Sequence, residues 1–120
     1  WVLRAGTGDL YRSYSNSTTS KGITGTYVWN TGQWYHVAWV RFNGVVTVYQ
    51  NGVAIGTVAD TTNLTDGQYG VTVGCNFDTA GSSGTGYNLL TGYIDDLRIT
   101  KGIARYTQNF TPPQAALPRQ

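Results

Sequence analysis

Two Asn-Gly dipeptides, Asn43-Gly44 and Asn51-Gly52, constrain this chain more than any other feature. Asn-Gly tolerates the positive φ angles of a type I′ turn, which joins two antiparallel strands through a two-residue loop. Each dipeptide lies between runs rich in Val, Trp, Tyr and Thr. Together they predict a three-stranded meander. Closing both turns as two-residue loops pairs Trp39 with Val48 and Val48 with Ile55. Val37, Trp39, Val46, Val48, Val53 and Ile55 then share one face, the expected core side. The opposite face carries His36, Ala38, Val40, Phe42, Thr47, Tyr49 and Ala54. It is apolar enough to need a cover of its own.

The rest of the chain follows the same pattern. Period-two alternation and turn residues recur, and no segment sustains a helical period. Strands are expected over 1–5, 10–15, 25–29, 34–42, 45–50, 53–58, 69–75 and 93–100. Residues 101–106 could close one helical turn, and Thr111-Pro112-Pro113 ends regular structure. The 120 residues suffice for one domain. We expect it over 1–113, followed by an extended tail over 114–120. Residues 76–88 form a Gly- and Ser-rich loop, long for a hairpin connection. The chain contains no Met and opens on Trp1-Val2-Leu3, which reads as mid-strand, so a piece of a longer polypeptide is expected.

Charge excludes some partners. Charged residues make up 12% of the chain, against about a quarter in ordinary domains. The net charge of +2 is scattered, with no basic run. Nucleic acid and anionic membrane are therefore not expected partners. No apolar stretch is long enough to span a bilayer. Cys75 is the only cysteine, which rules out an internal disulfide and a cysteine metal cluster. It is read as a buried residue at a strand end.

Two stretches resemble a known family. Gly32-Gln33-Trp34-Tyr35-His36-Val37-Ala38-Trp39-Val40-Arg41, followed by Val46-Thr47-Val48-Tyr49-Gln50-Asn51-Gly52, is similar to laminin-G-like, concanavalin A-like jelly-roll domains. Gly92-Tyr93-Ile94-Asp95-Asp96-Leu97-Arg98-Ile99 resembles the last core strand of that family. The continuation Gly102-Ile103-Ala104-Arg105-Tyr106-Thr107, then Asn109-Phe110-Thr111-Pro112-Pro113, is similar to the subgroup common in phage tail and virion proteins. The resemblance implies an all-β fold, an antiparallel two-sheet jelly-roll sandwich, lacking its first strands. Family members carry further strands ahead of this point, one of them beside the final strand. A preceding segment or another subunit is expected to fill that edge.

Catalysis finds little support. The chain has no Glu, whereas glucanases of the related fold use a Glu-x-Asp-x-x-Glu strand. Glycoside hydrolysis needs two carboxylates flanking the bond. Asp95 and Asp96, adjacent on an expected strand, would point to opposite faces. One of them is read as bonding backbone of a neighbouring loop. His36, the only histidine, is read as a packing residue with a satisfied hydrogen bond, and no Gly-x-Ser-x-Gly elbow occurs. No catalytic residue is assigned.

Laminin-G-like domains often bind calcium at the sandwich rim through carboxylates and carbonyls. Asn76 and Asp78 in the long loop, and Asp60 and Asp66 around another, have suitable oxygens but no clustered motif. They are read as turn-shaping residues, with no metal site and no cofactor expected. Carbohydrate binding, the family's other frequent task, would use exposed aromatics with Asn and Asp, and Asn76, Asp78 and Tyr87 are the candidates. Three Asn-x-Ser/Thr sequons, at Asn16, Asn63 and Asn109, arise readily in a Thr-rich chain.

The expected function is a non-catalytic structural and adhesive module of a virion or phage appendage, virion-borne or extracellular. Its partners would be copies of itself, other virion proteins and host surface glycans. The alternative is a carbohydrate-binding module of a secreted bacterial protein.

Overall fold

The computed structural model describes residues 2–3, 8–15, 19–25, 27–62, 72–77, 86–87 and 89–118. The described residues form an all-β domain of antiparallel strands. In chain order these are β1 (Val2–Leu3), β2 (Gly8–Ser15), β3 (Thr19–Gly25), β4 (Val37–Phe42), β5 (Val45–Gln50), β6 (Val53–Ala59), β7 (Asn76–Phe77) and β8 (Gly86–Tyr87). They make two three-stranded sheets, β1-β2-β3 and β4-β5-β6, and the two-stranded ribbon β7-β8. This is consistent with a jelly-roll-type fold, although a closed two-sheet sandwich is not seen among the described residues. The chain divides into two compact units, residues 1–64 with 100–120, and residues 65–99.

The central meander forms as the Asn-Gly turns demand. Asn43 and Gly44 have φ of 48° and 73°, and Asn51 and Gly52 have 50° and 81°. These are the left-handed conformations that Asn and Gly adopt at low cost. Trp39 pairs with Val48 as expected. Val48, however, pairs with Gly56 and not with Ile55, because a bulge lies between the Val48 and Tyr49 pairs. Close packing accompanies the bulge. A Cβ at position 56 would collide with Cγ2 of Ile23, so only glycine fits beneath Ile23. The extra residue, Ile55, is absorbed on the β6 side.

The core lies on the predicted face. Val46, Val48, Ile23 and Tyr27 are buried together, and Trp29, Trp39, Ile55 and Val58 pack against them. Val48 is fully buried, a side chain whose removal from water stabilises by roughly 1.5–3 kcal/mol. Val53, expected on this face, is 55% exposed, since it lies at the turn end of β6 beyond the bulge.

Several expectations are corrected. No strand covers 27–29; instead β3 runs over Thr19–Gly25. Its Thr, Ser and Lys residues hide it from a search for apolar alternation. No strand forms over 93–100. Asp96 takes a φ of 50°, and its N–H donates to Oδ1 of Asp95 at 2.8 Å, a local turn that breaks extended backbone. Asp95 and Asp96 therefore do not face oppositely along a strand, and the carboxylate bonds its own neighbour. No helical turn forms over 101–106, where Gly102 at a φ of 88° is incompatible with a right-handed helix. Cys75 is half-buried in a bend just ahead of β7. The expected strand over 69–75 is partly outside the described residues; its described part, 72–75, is not extended strand. No helix among the described residues is long and apolar enough to cross a membrane.

Candidate functional site: an aromatic rim loop and a cross-strand pair

Within the first unit, the C-terminal segment covers the second face of the meander. Phe110 stacks on Tyr106 with centroids 3.6 Å apart and planes 6° from parallel. It also meets Tyr49 and His36 edge-on, each at 5.4 Å. Tyr49 is buried as a result, at 2% exposure. The segment is stitched to the turn end of β6: the Phe110 N–H donates to the Gly52 carbonyl at 2.9 Å, and Oδ1 of Asn109 accepts the Ala54 N–H at 3.0 Å. The sequon asparagine at 109 thus has a structural role.

His36 sits at the edge of this cluster, with Tyr106 at 6.0 Å and Phe110 beside it. Its backbone N–H donates to Oδ1 of Asn51, whose own N–H donates to the His36 carbonyl. One ring nitrogen lacks the satisfied bond expected of this residue. Nδ1 is buried and has no partner among the described residues. Burial accordingly lowers the His36 pKa below its ordinary value of 6.5.

Ahead of β4, residues 27–36 form a rim loop that contains Tyr27, Trp29, Trp34 and Tyr35 and no charged residue. Trp29, packed against the core, meets Tyr35 edge-on at 5.0 Å and 75°. The Tyr35 hydroxyl accepts the Asn30 N–H at 2.9 Å and donates to Oε1 of Gln33 at 3.0 Å. Nε2 of Gln50 holds the Val28 carbonyl at 3.2 Å. Trp34, between Gln33 and Tyr35, is 69% exposed. The strand expected over 34–42 begins only at Val37, which leaves Trp34 in the loop. The signal for it was an uncharged, amide-rich stretch with four aromatics.

In the second unit, β7 and β8 pair Asn76 with Tyr87. Two of the three candidate carbohydrate-binding positions are therefore cross-strand partners. Asp78, the third, lies outside the described residues, as do Asp66, Asn16, Asn63 and most of the long loop. Asp60 is fully buried and its Oδ1 accepts the Thr62 N–H at 2.8 Å, the turn-shaping role expected of it. No group of three or more His, Cys, Asp or Glu side chains among the described residues could hold a metal ion.

The antiparallel meander with Asn-Gly turns, closed by a C-terminal aromatic strap, is consistent with the laminin-G-like, concanavalin A-like class. The sequence profile of that family, described as the Concanavalin A-like lectin/glucanases superfamily, matches residues 1–104. The chain belongs to this family. No curated protein and no solved structure matches it.

Proposed function

We propose that the chain is a non-catalytic structural and adhesive module of a virion or phage appendage that recognises host glycans. The observation that carries the adhesive half is the exposed Trp34 in an uncharged rim loop. Membership of a superfamily that includes lectins supports it. The structural half draws support from the second unit, where Leu89, Tyr93, Leu97 and Ile99 are all more than half exposed. Apolar surface of this kind suits burial against copies of the chain or other virion proteins. The absence of Glu from the sequence supports a non-catalytic role. The virion setting rests on the resemblance of residues 102–113 to phage tail and virion sequences. Asn109 and Phe110 of that motif close the domain in this fold.

Two measurements test the reading on the purified chain. Light scattering during size exclusion should find a defined oligomer, and a glycan array should find neutral-sugar binding. A strict monomer that binds no glycan would overturn both halves. Hydrolysis of a β-glucan would overturn the non-catalytic assignment. The second reading, a carbohydrate-binding module of a secreted bacterial protein, is favoured by the same Trp34 and would appear as glycan binding by a monomer.

A further inference from the structure

The two Asn-Gly dipeptides that close the meander are also the units of this chain most prone to rearrange without an enzyme. Glycine has no Cβ, so its amide nitrogen is open to approach. That nitrogen can bond to Cγ of the preceding asparagine and close a cyclic succinimide. The two units share one sequence and one turn conformation. Their φ angles are 48° and 73° at Asn43-Gly44, and 50° and 81° at Asn51-Gly52. Their surroundings differ, and the difference decides which of them can react.

Asn51 is held at the atoms that the rearrangement must move. Its side-chain Oδ1 accepts the His36 N–H at 2.9 Å, and its own N–H donates to the His36 carbonyl at 2.8 Å. Gly52 is buried, and its carbonyl accepts the Phe110 N–H at 2.9 Å. The Phe110 carbonyl fills the space beside its Cα. Asn43, by contrast, is exposed, and its carboxamide has no hydrogen-bond partner among the described residues. Gly44 is tied through its carbonyl, which accepts the Asp60 N–H at 2.8 Å. Its close neighbour is a Thr61 methyl, the end of a side chain and not a stretch of backbone.

We propose that Asn43 is a site of spontaneous modification, where the folded chain converts asparagine to aspartyl and isoaspartyl forms, while His36 and the C-terminal strap protect the same sequence at Asn51. The Gly44 nitrogen loses its proton to water and bonds to Cγ of Asn43. The Cγ–Nδ2 bond breaks, and Nδ2 takes up a proton from solvent and leaves as ammonia. Water then adds to either ring carbonyl and cleaves its bond to the Gly44 nitrogen. Cleavage at Cγ leaves an ordinary backbone with an aspartate. Cleavage at the main-chain carbonyl leaves the backbone running through the side chain. Each conversion consumes one water and releases one ammonia, and either product carries a new carboxylate. The isoaspartyl form puts an extra carbon into the main chain of a two-residue loop. It shifts the Gly44 carbonyl away from the Asp60 N–H, so that corner loosens as the chain ages. The chemistry is independent of what the module binds.

The test incubates the full chain folded and in urea, and follows chymotryptic peptides by mass spectrometry. Phe42 and Tyr49 flank Asn43, so the two dipeptides fall in separate peptides. Each folded rate is compared with the rate of the same site in urea. Asn43 should convert in the folded chain, and Asn51 should convert at least about tenfold more slowly relative to urea, because hydrogen bonds must break before its ring can close. The isoaspartyl fraction should show faster exchange of the Asp60 amide. F110A should speed Asn51 severalfold while the core Val48 amide stays protected, and N109A serves the same purpose should F110A not fold. Equal protection at the two sites, or greater protection at Asn43, would overturn the proposal. So would a folded chain whose Asn43 stays intact over a period that converts it fully in urea. An Asn51 that stays slow in the loosened variant would overturn protection by the strap.

Discussion

The Phe110 N–H donates to the Gly52 carbonyl at 2.9 Å, and the Phe110 carbonyl occupies the space that a Cβ at position 52 would need. The turn between β5 and β6 is thus both a chain reversal and the seat of the C-terminal strap. Gly52 does two jobs that glycine alone can do together: it takes a φ of 81° and admits another backbone into contact.

The first prediction separates these jobs. G52A should destabilise the domain by about 3 kcal/mol or more, since left-handed strain is compounded by expulsion of the strap. G32A is the control. Gly32 has a similar φ of 75°, with nothing within 4 Å of its would-be Cβ. It should cost only about 1 kcal/mol, the conformational part alone. Urea unfolding of both variants measures the difference. Equal losses would show that the close approach of Phe110 contributes nothing.

Asn109 closes the same seam from the side. Its Oδ1 is the acceptor for the Ala54 N–H. N109A leaves that N–H to water and should cost about 1 kcal/mol, the net value of a typical hydrogen bond. Hydrogen exchange at the Ala54 amide should accelerate in the variant, while amides in the middle of β5 change little. An unchanged Ala54 rate would mean that another acceptor takes over.

Much of this architecture was legible in the sequence, and the unread parts have definite causes. Asn43-Gly44 and Asn51-Gly52 determine their own turns through local backbone preference, so β4, β5 and β6 could be placed from the chain alone. The bulge at Ile55 could not, and neither could the close approach of Ile23 to Gly56 beside it, since those residues are distant in sequence. Strand β3 escaped notice because its polar residues carry little apolar alternation. The run from Tyr93 to Ile99 has strand-like composition, yet the Asp95–Asp96 turn interrupts it. For the candidate site, the sequence placed Asn76 and Tyr87 near one loop, and the structure makes them cross-strand partners. Trp34 has the composition of a strand residue, yet strand β4 begins only at Val37 and the Trp34 side chain is exposed.

His36 predicts a pH dependence. Burial lowers its folded pKa below the ordinary 6.5. In the window between the lowered value and 6.5, the unfolded chain binds a proton that the folded chain does not. Stability contributed by neutral His36 is therefore fully present above about pH 6.5 and is lost as pH falls from there towards the folded pKa. An NMR titration of the ring should give a midpoint below 6.5. F110A, which removes a ring packed against His36, should move that midpoint upward and flatten the stability profile in the same window. A midpoint at or above 6.5 in the unaltered chain would contradict the burial argument.

At the other end of the meander, Asp60 and Arg41 act on the two sides of one residue. The buried Asp60 carboxylate accepts the Thr62 N–H at 2.8 Å, and Nη1 of the exposed Arg41 donates to the Thr62 carbonyl at 2.6 Å. The Asp60 N–H also donates to the Gly44 carbonyl, which fastens this corner to the first Asn-Gly turn. D60A removes a fully buried acceptor and should cost about 1–3 kcal/mol, whereas R41A removes an exposed bond and should cost about 0.5–1 kcal/mol. Both side chains hold Thr62 in place, so their effects should not add. Once D60A has freed Thr62, the carbonyl no longer waits where Arg41 can reach it. The double variant should fall short of the sum by about 0.5 kcal/mol or more in urea unfolding. Strict additivity would show that Arg41 and Asp60 act on Thr62 independently.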